Sequence, residues 1–452
     1  MGPAIRGFDQ PTGRGVRSVW WLWPTAPLVL LVGPSLLATN AIDDDRFERA
    51  WRTPKGLDGY TTTVLMVIVA AFVVGTVLAA LLEANRATRP SVWPDPTPSS
   101  TRILQRIYPW LIGATVFGYA VWIGLGLSRG LSLADVRAVL ATQDNFMLPI
   151  KAKLDTLAGV TTFTQVAIPA AIVGVLLNAQ EPRASIRWGY RLLILLAAAR
   201  AFMLAERLAV AEIVVPIMVV KAAHLSRRLE GRRRLAVTLA PVFGVLLLVA
   251  GFAASEYTRS WNWYSRNTDA DFVDFVSERL VGYYATSHNN GALLLNHGES
   301  QGSVPYFTTT FVWQIPPGSQ LGGDLADDVS DDRRRVLHEF ANPEFNSPNG
   351  LASVVVDYGL VGGTIFALLS GLAIGGLHLS FLHGRILGLL LYPMVYTGLL
   401  ELPRYLYWFQ GRATPAILVA VAVTIAASQS DHVRRAGDRR GSIDAALLGS
   451  LR

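Results

Sequence analysis

The chain contains no cysteine and carries few charged residues for its length. The absence of cysteine excludes a disulfide framework, a thiolate metal site and a cysteine nucleophile. Charged residues make up 16% of the chain, whereas soluble domains carry about 25%. Hydrophobic residues reach 51%, and the mean hydropathy is +0.36. These values exclude an ordinary soluble domain and predict an integral membrane protein.

Three sequence motifs of soluble catalysis are also missing. There is no HExxH zinc motif, no GxxxxGK[ST] phosphate loop and no GxSxG serine elbow. The net charge of +7 comes from basic runs that lie beside apolar segments and lack interleaved aromatic residues. Such runs are typical of cytoplasmic loops of membrane proteins, so we expect no nucleic-acid partner. Because the motifs above are missing, we also expect no cofactor.

Long apolar segments predict an all-α polytopic membrane protein with about ten transmembrane helices. An N-terminal membrane region over 1–255 holds about seven spans, and a C-terminal one over 351–428 holds about three. A cytoplasmic tail follows over 429–452. The predicted spans are 18–39, 60–82, 107–127, 156–178, 188–204, 206–222, 235–255, 351–377, 385–402 and 413–428.

The apolar stretch 192–220 carries four charged residues, Arg200, Glu206, Arg207 and Glu212. As one helix it would run about 43 Å, which exceeds the ~30 Å hydrocarbon core. It is also too short for two spans of ordinary length. We therefore predict two short or broken spans that meet at a charged elbow. Ionisable groups are costly at that depth and by default mark a functional site.

The distribution of arginine and lysine among the short loops gives the orientation. Lys221–Arg234 is strongly basic, whereas the loop at 41–51 offsets its arginines with acids. With both termini in the cytoplasm, the basic loops lie inside, as the positive-inside rule requires. Two crossings at the elbow then place Arg200 to Arg207 at the outer face.

Residues 256–350 form the one long polar insertion and are predicted to be an extracytoplasmic loop domain. Loops of such length are usually functional. The spacing of apolar residues over 269–284 predicts an amphipathic helix, and 331–341 indicates a second, shorter one. The composition of 304–315 favours a strand.

The candidate binding residues are arginines near the outer face. Arg200 and Arg207 are seven residues apart and share one face of a continuous helix. Their planar guanidinium groups suit the paired oxygens of phosphate or carboxylate. They either clamp a diphosphate or are neutralised by the charge partners Glu206 and Glu212, and the sequence leaves both interpretations open.

Further polar candidates lie in the last outer loop and in the insertion. Arg404 and Arg412 occur in an aromatic-rich loop, which an interfacial aromatic belt also explains. Arg279 is accompanied by Tyr284 and Asn290. Asp357, close to the start of the eighth span, is predicted to make a polar contact to another span or to cap a helix.

Several residues of the insertion are candidates for a catalytic base. A histidine with an ordinary pKa suits proton transfer near neutral pH, and His288, His297 and His338 all lie in the insertion. Glu344 competes with them, because a carboxylate with a raised pKa also accepts a proton from a hydroxyl.

Three stretches resemble a known family. They are RAFMLAERLAVAEIVVP (200–216), ERLVGYYATSHNNGALL (278–294) and EFNSPNGLASVVVDYGLVGGTIF (344–366). Together with the order of spans and the late outer loop, they make the chain similar to the oligosaccharide repeat-unit polymerases, the Wzy or O-antigen polymerase family. The resemblance rests on layout and loose motifs over most of the chain.

The resemblance implies a GT-C-type glycosyltransferase of the bacterial cytoplasmic membrane. Its donor and acceptor would be oligosaccharides on undecaprenyl diphosphate in the lipid bilayer, and a chain-length regulator and a flippase would be further partners. Arg200, Arg207, Arg279 and Arg404 would grip the diphosphate, with Tyr284 and Asn290 near the sugar. His297 or Glu344 would activate the acceptor hydroxyl, and no metal would be needed.

Two alternatives remain open. Another GT-C transferase, such as an O-antigen-ligase-like enzyme or one that uses a polyprenyl-phosphate sugar, would give a metal-binding role to Asp43, Asp44 and Asp45. A polysaccharide or lipid transporter is the alternative from a different class. Transporters tend to place charges at the membrane midplane and to show repeated halves, neither of which is evident here.

Overall fold

The computed structural model describes residues 19–84, 96–140, 147–155, 159, 161–204, 206–228, 231–267, 271–302, 304–315 and 318–429. Every regular element within these ranges is helical. The basic N-terminal segment and nearly all of the predicted cytoplasmic tail lie outside the described residues.

The first half of the chain forms eleven of the helices in the described ranges. They are α1 (Thr25–Asn40, with a π-helical turn at Leu28–Val32), α2 (Asp44–Trp51), α3 (Gly59–Ala84), α4 (Pro98–Ser128), α5 (Leu133–Leu140), α6 (Met147–Lys153), α7 (Ala167–Gln180), α8 (Ala184–Leu204), α9 (Leu208–Arg228), α10 (Gly231–Thr238) and α11 (Ala240–Glu256).

The second half contains the helices of the insertion and three apolar helices after it. They are α12 (Asn262–Asn267), α13 (Phe272–His297), α14 (Thr310–Trp313), α15 (Gly318–Leu321), α16 (Gly323–Phe340), α17 (Gly350–Leu382), α18 (Ile386–Glu401) and α19 (Thr414–Gln429). Short 3-10 or π segments occur at Trp20–Leu22, Thr161–Val166, Tyr257–Trp261 and Tyr407–Phe409.

Five helical segments of the described chain are long and apolar enough to cross a membrane, or six if the bent pair α1–α2 is one span. Each predicted span falls on a helix, but α11, α18 and α19 have only 10–17 residues. Apolar side chains on α11 remain open to the surroundings, with Leu247 74% exposed. Such surfaces indicate a multi-pass membrane protein. The count of about ten spans stays a prediction.

Helices α3 and α17 pack closely because glycines lie between them. A Cβ atom on Gly75 would lie 2.2 Å from the carbonyl oxygen of Leu368, and one on Gly371 would lie 2.2 Å from that of Phe72. Small residues let helix backbones approach in this way, which is the usual means of helix association in lipid. Helix α7 forms a second packing centre, with Ala170–Leu177 buried among α4, α8, α9 and α18.

The insertion is helical where it is regular, so the predicted strand over 304–315 is wrong. The backbone N–H groups of Phe307 and Thr308 donate to the Asp357 carboxylate at 3.0 and 2.7 Å. Strand-like composition decides little when no neighbouring strand is available to pair. The two predicted helices are present and longer than expected, as α13 and α16.

The packing of α3 against α17 is tested by adding one methyl group. Gly371→Ala places a carbon against backbone and should cost about 1–3 kcal/mol of stability. It should therefore lower the thermal unfolding midpoint of the purified protein in detergent. Gly376→Ala is the matched control, since nothing lies within 4 Å of its added Cβ. Equal midpoints in the two variants would contradict the close packing.

Candidate functional site

The charged stretch 192–220 forms two helices rather than one, as its length predicts. Helix α8 ends at Leu204 and α9 begins at Leu208, so Glu206 and Arg207 lie in the break. Because of the break, the two arginines contact different elements. Arg200 contacts Thr164, whereas Arg207 contacts Ser255 at the end of α11. The shared face expected of one continuous helix is therefore not formed.

Arg200 belongs to an ionic group at this elbow. The elbow cluster consists of Arg200, Glu206, Glu212 and Arg412. Glu206 lies 2.9 Å from Arg200 and 3.3 Å from Arg412, and Arg412 lies 3.1 Å from the buried Glu212. Two positive and two negative charges balance. The cluster thus ties the elbow to the loop before α19, because each buried charge has a partner.

A second group collects three arginines among aromatic rings, and two of them lie against the same ring. The guanidinium carbons of Arg207 and Arg404 both lie 5.3 Å from the centroid of Tyr283. Arg207 also lies 4.0 Å from the ring of Phe252, and Arg279 lies 5.5 Å from the ring of Phe345. We name the group the arginine–aromatic site; its members are Arg207, Arg279, Arg404, Glu256, Glu344, Glu401 and Tyr283.

Glu256 joins two of these arginines. Its side chain is fully buried, at the end of α11, and it pairs with Arg207 and with Arg279, the latter at 2.8 Å. Arg279 is itself only 7% exposed and also contacts Glu344 at 2.9 Å. A buried carboxylate between two guanidinium groups fixes their positions. Glu256 was missed from the sequence, and its only signal was its place one residue beyond the predicted span 235–255.

The remaining members of the arginine–aromatic site reach the surface. The Glu344 side chain is 51% exposed, and that of Arg404 is 21% exposed. Arg404 pairs with Glu401 at 3.1 Å, but its Nε is buried without a hydrogen-bond partner. Burial raises the pKa of the Tyr284 hydroxyl, and the charge of Glu401 adds to the rise. The site therefore offers cationic and carboxylate groups at one accessible edge.

The loops that carry this site are held by a buried polar row on α13. The row is Ser287, His288, Asn289 and Asn290, all fully buried. Asn290 donates to the carbonyl of Phe345 at 2.6 Å, and Ser287 donates to that of Pro403 at 2.9 Å. Because its amide nitrogen donates to the backbone, Asn290 stabilises the loop before α17.

His288 is enclosed in the same row and is unsuited to proton transfer. Its Nε2 lies 3.0 Å from Ser35 Oγ, and its Nδ1 lies 2.8 Å from the amide nitrogen of Asn349. Since that amide can only donate, Nδ1 accepts and the ring is neutral. Burial lowers the pKa of His288 to about 3. The interpretation of His288 as a base therefore has no geometric support.

The other predicted residues lie apart from the arginine–aromatic site. His297 is exposed and stacks on Phe340, with 4.3 Å between ring centroids. Asp357 accepts from the backbone of Phe307 and Thr308 and so anchors the insertion to α17. These partners lie in the insertion, whereas the sequence predicts a contact with another span.

The acidic triplet at 43–45 has ordinary structural contacts. Asp43 caps α2 by accepting from the backbone N–H of Arg46, and Asp44 pairs with Lys55 at 2.8 Å. No group of three or more metal-ligating side chains occurs among the residues for which the structure gives positions.

No protein family, curated protein or solved structure matches this chain. The geometry of the described residues is therefore what bears on function.

The enclosure of His288 gives a prediction for acid stability. A histidine whose pKa falls from 6.5 to about 3 on folding binds its proton more readily in the unfolded chain. The folded state therefore loses stability as the pH falls below 6.5, by up to about 1.4 kcal/mol per pH unit. His288→Gln should show a shallower fall of the unfolding midpoint between pH 6.5 and 4 than the wild type.

His338→Gln is the control, since His338 is exposed on α16. A pH dependence that is the same in the wild type and in His288→Gln would show that the ring is not held neutral.

Proposed function

We propose that the chain is a membrane glycosyltransferase that joins oligosaccharide repeat units carried on undecaprenyl diphosphate, on the outer side of the bacterial cytoplasmic membrane. One observation carries the proposal most directly. Arg207 and Arg404, from the elbow and the last outer loop, converge on the ring of Tyr283, and Arg279, four residues earlier on α13, pairs with the half-exposed Glu344. The resemblance of the surrounding stretches to repeat-unit polymerases supports the same conclusion.

The chemistry needs a site for a departing diphosphate. The acceptor hydroxyl oxygen bonds to the anomeric carbon of the donor, and the bond from that carbon to the diphosphate oxygen breaks. The electron pair leaves with the diphosphate, whose negative charge grows. Guanidinium groups that are fixed beforehand stabilise this charge without reorganising during the reaction. Glu256 holds Arg207 and Arg279 in place, and Arg404 adds a third, partly exposed guanidinium group.

Glu344 is the base in this proposal. The proton of the acceptor hydroxyl passes to its carboxylate, and the pair with Arg279 at 2.9 Å orients that carboxylate. His297 is the weaker candidate because its stacking on Phe340 places it against α16. Arg200, which belonged to the predicted clamp, is assigned to the elbow cluster instead and holds the break between α8 and α9.

The role of Arg404 is tested by polymerisation of a lipid-diphosphate oligosaccharide by the full-length protein in liposomes. Arg404→Gln should slow ladder formation by about 10²–10³-fold, as the loss of one group that stabilises developing charge does. Arg183→Gln is the matched control, because Arg183 is a surface arginine that also pairs with a glutamate. An unchanged ladder in Arg404→Gln would remove Arg404 from the site.

Glu344→Gln tests the base. The variant keeps the shape of the side chain but accepts no proton, so turnover should fall by about 10²–10⁴-fold. Substrate binding should change little. Glu339→Gln, on the exposed face of α16, is the control. Turnover at the wild-type rate in Glu344→Gln would show that the proton goes elsewhere.

A further inference from the structure

Arg333 differs from the arginines of the two ionic groups because none of the described carboxylates pairs with it. It is the first of three consecutive arginines on α16. Arg334 pairs with Asp331, and Arg335 pairs with Asp332 at 2.8 Å and with Glu299 at 3.0 Å. Arg333 instead lies against the ring of Phe307, with 5.8 Å to its centroid. Among the described residues, no carboxylate lies within ion-pair distance of it.

The residues around Arg333 partly shield its side chain from water. The side chain is half-buried, and its Nε is buried without a hydrogen-bond partner. Burial lowers the pKa of Arg333, and nearby Arg334 lowers it further, while Tyr306 and Tyr405 act in the opposite direction. An arginine nevertheless keeps its proton in proteins. A full positive charge is therefore partly desolvated and unneutralised, which costs free energy unless a ligand supplies the counter-charge.

A small cavity opens beside this charge. Its volume is about 60 Å³, enough for a few water molecules or one small ionic group. Besides Arg333 and Phe307, its lining includes Thr310, Ser353, Tyr405 and Gln410. The Ser353 and Thr310 hydroxyls donate to backbone carbonyls. The Tyr405 hydroxyl and the Gln410 amide, in contrast, have no hydrogen-bond partner in the part of the chain that is described.

These groups match one kind of ligand. The guanidinium, the phenol and the amide all donate hydrogen bonds, and no carboxylate lines the cavity. A small oxyanion accepts several such bonds at once and neutralises the arginine. The cavity also adjoins the arginine–aromatic site, since Tyr405 follows Arg404 in the chain and its ring lies 5.0 Å from the Arg404 guanidinium.

We infer that this cavity is a subsite for an oxyanion of the substrate, either the carboxylate of an acidic sugar in the repeat unit or a phosphate group. The inference rests on the proposed function for its substrate class. It makes Arg333 a specificity residue that favours anionic repeat units over neutral ones.

The test measures binding to the full-length protein in nanodiscs by calorimetry, with three probes. Glucuronate carries the carboxylate, glucuronamide is its neutral counterpart, and inorganic phosphate represents the other source. An oxyanion should bind at least tenfold more tightly to the wild type than to Arg333→Gln. Arg334→Gln should bind as the wild type does, because Arg334 is exposed and already paired.

The pattern among the probes identifies the source. Glucuronate binding that glucuronamide does not share indicates an acidic sugar, and binding of phosphate alone indicates a phosphate group. Either pattern supports the subsite if it depends on Arg333. Equal binding of both anions to the wild type and to Arg333→Gln, or no binding of either anion, would overturn it.

A stability measurement separates this role from a structural one. Without ligand, Arg333→Gln should unfold at the same temperature as the wild type or higher, because an unneutralised charge is removed. A clear drop of the midpoint would make Arg333 structural and contradict the inference. Gln410→Ala leaves the arginine in place and should weaken anion binding severalfold, which tests the subsite without changing Arg333; unchanged binding would contradict the inference.

The two proposals fail separately. Anion binding that depends on Arg333, without polymer formation from a lipid-linked donor, would leave the subsite standing and refute the polymerase. A polymer ladder without anion binding that depends on Arg333 would support the polymerase and refute the subsite.

Discussion

The end of the molecule that carries the arginine–aromatic site depends on four buried polar side chains of α13. Ser287, His288, Asn289 and Asn290 lie among apolar helices, where an unpaired polar group costs several kcal/mol. The Asn289 amide accepts from the backbone of Gly56 and Leu57 at 2.7 and 3.1 Å. The row therefore satisfies the backbone of three separate loops and holds them at fixed distances from one another.

The arginine–aromatic site is a consequence of that arrangement. Its groups come from the elbow, from α11, from α13, from the end of α18 and from the loops before α17 and after α18, so no single element forms it. Asn349, with a φ of 67°, caps α17 and binds the carbonyl of Pro403, which joins the last two loops. Each buried charge of the arginine–aromatic site then finds a counter-charge, which compensates for its removal from water. A fixed array of cations follows, with exposed members at its edge.

The sequence predicts the helical elements well because their signals are local. The length of the apolar stretch 192–220 predicts the break between α8 and α9. The strand expected at 304–315 is wrong. The composition is typical of a strand, but the Asp357 carboxylate, rather than a neighbouring strand, accepts hydrogen bonds from the backbone of this segment. That contact joins residues 50 positions apart, and no local pattern contains it.

The members of the site are predicted only in part, because the sequence shows each arginine but does not show which carboxylate pairs with it. Arg207 turns to Glu256 rather than to Glu206 or Glu212, because the break in the helix rotates it away from both. Asn290 is conspicuous as a polar residue, yet its role in holding the backbone depends on a loop 55 residues later.

The claim that this chain forms glycosidic bonds is tested most directly by incubating the wild-type protein in liposomes with an undecaprenyl-diphosphate-linked oligosaccharide. A polymerase should give products whose masses rise by whole repeat units, with one undecaprenyl diphosphate released for each bond formed. Movement of the substrate across the membrane without bond formation or release of the lipid diphosphate would contradict it.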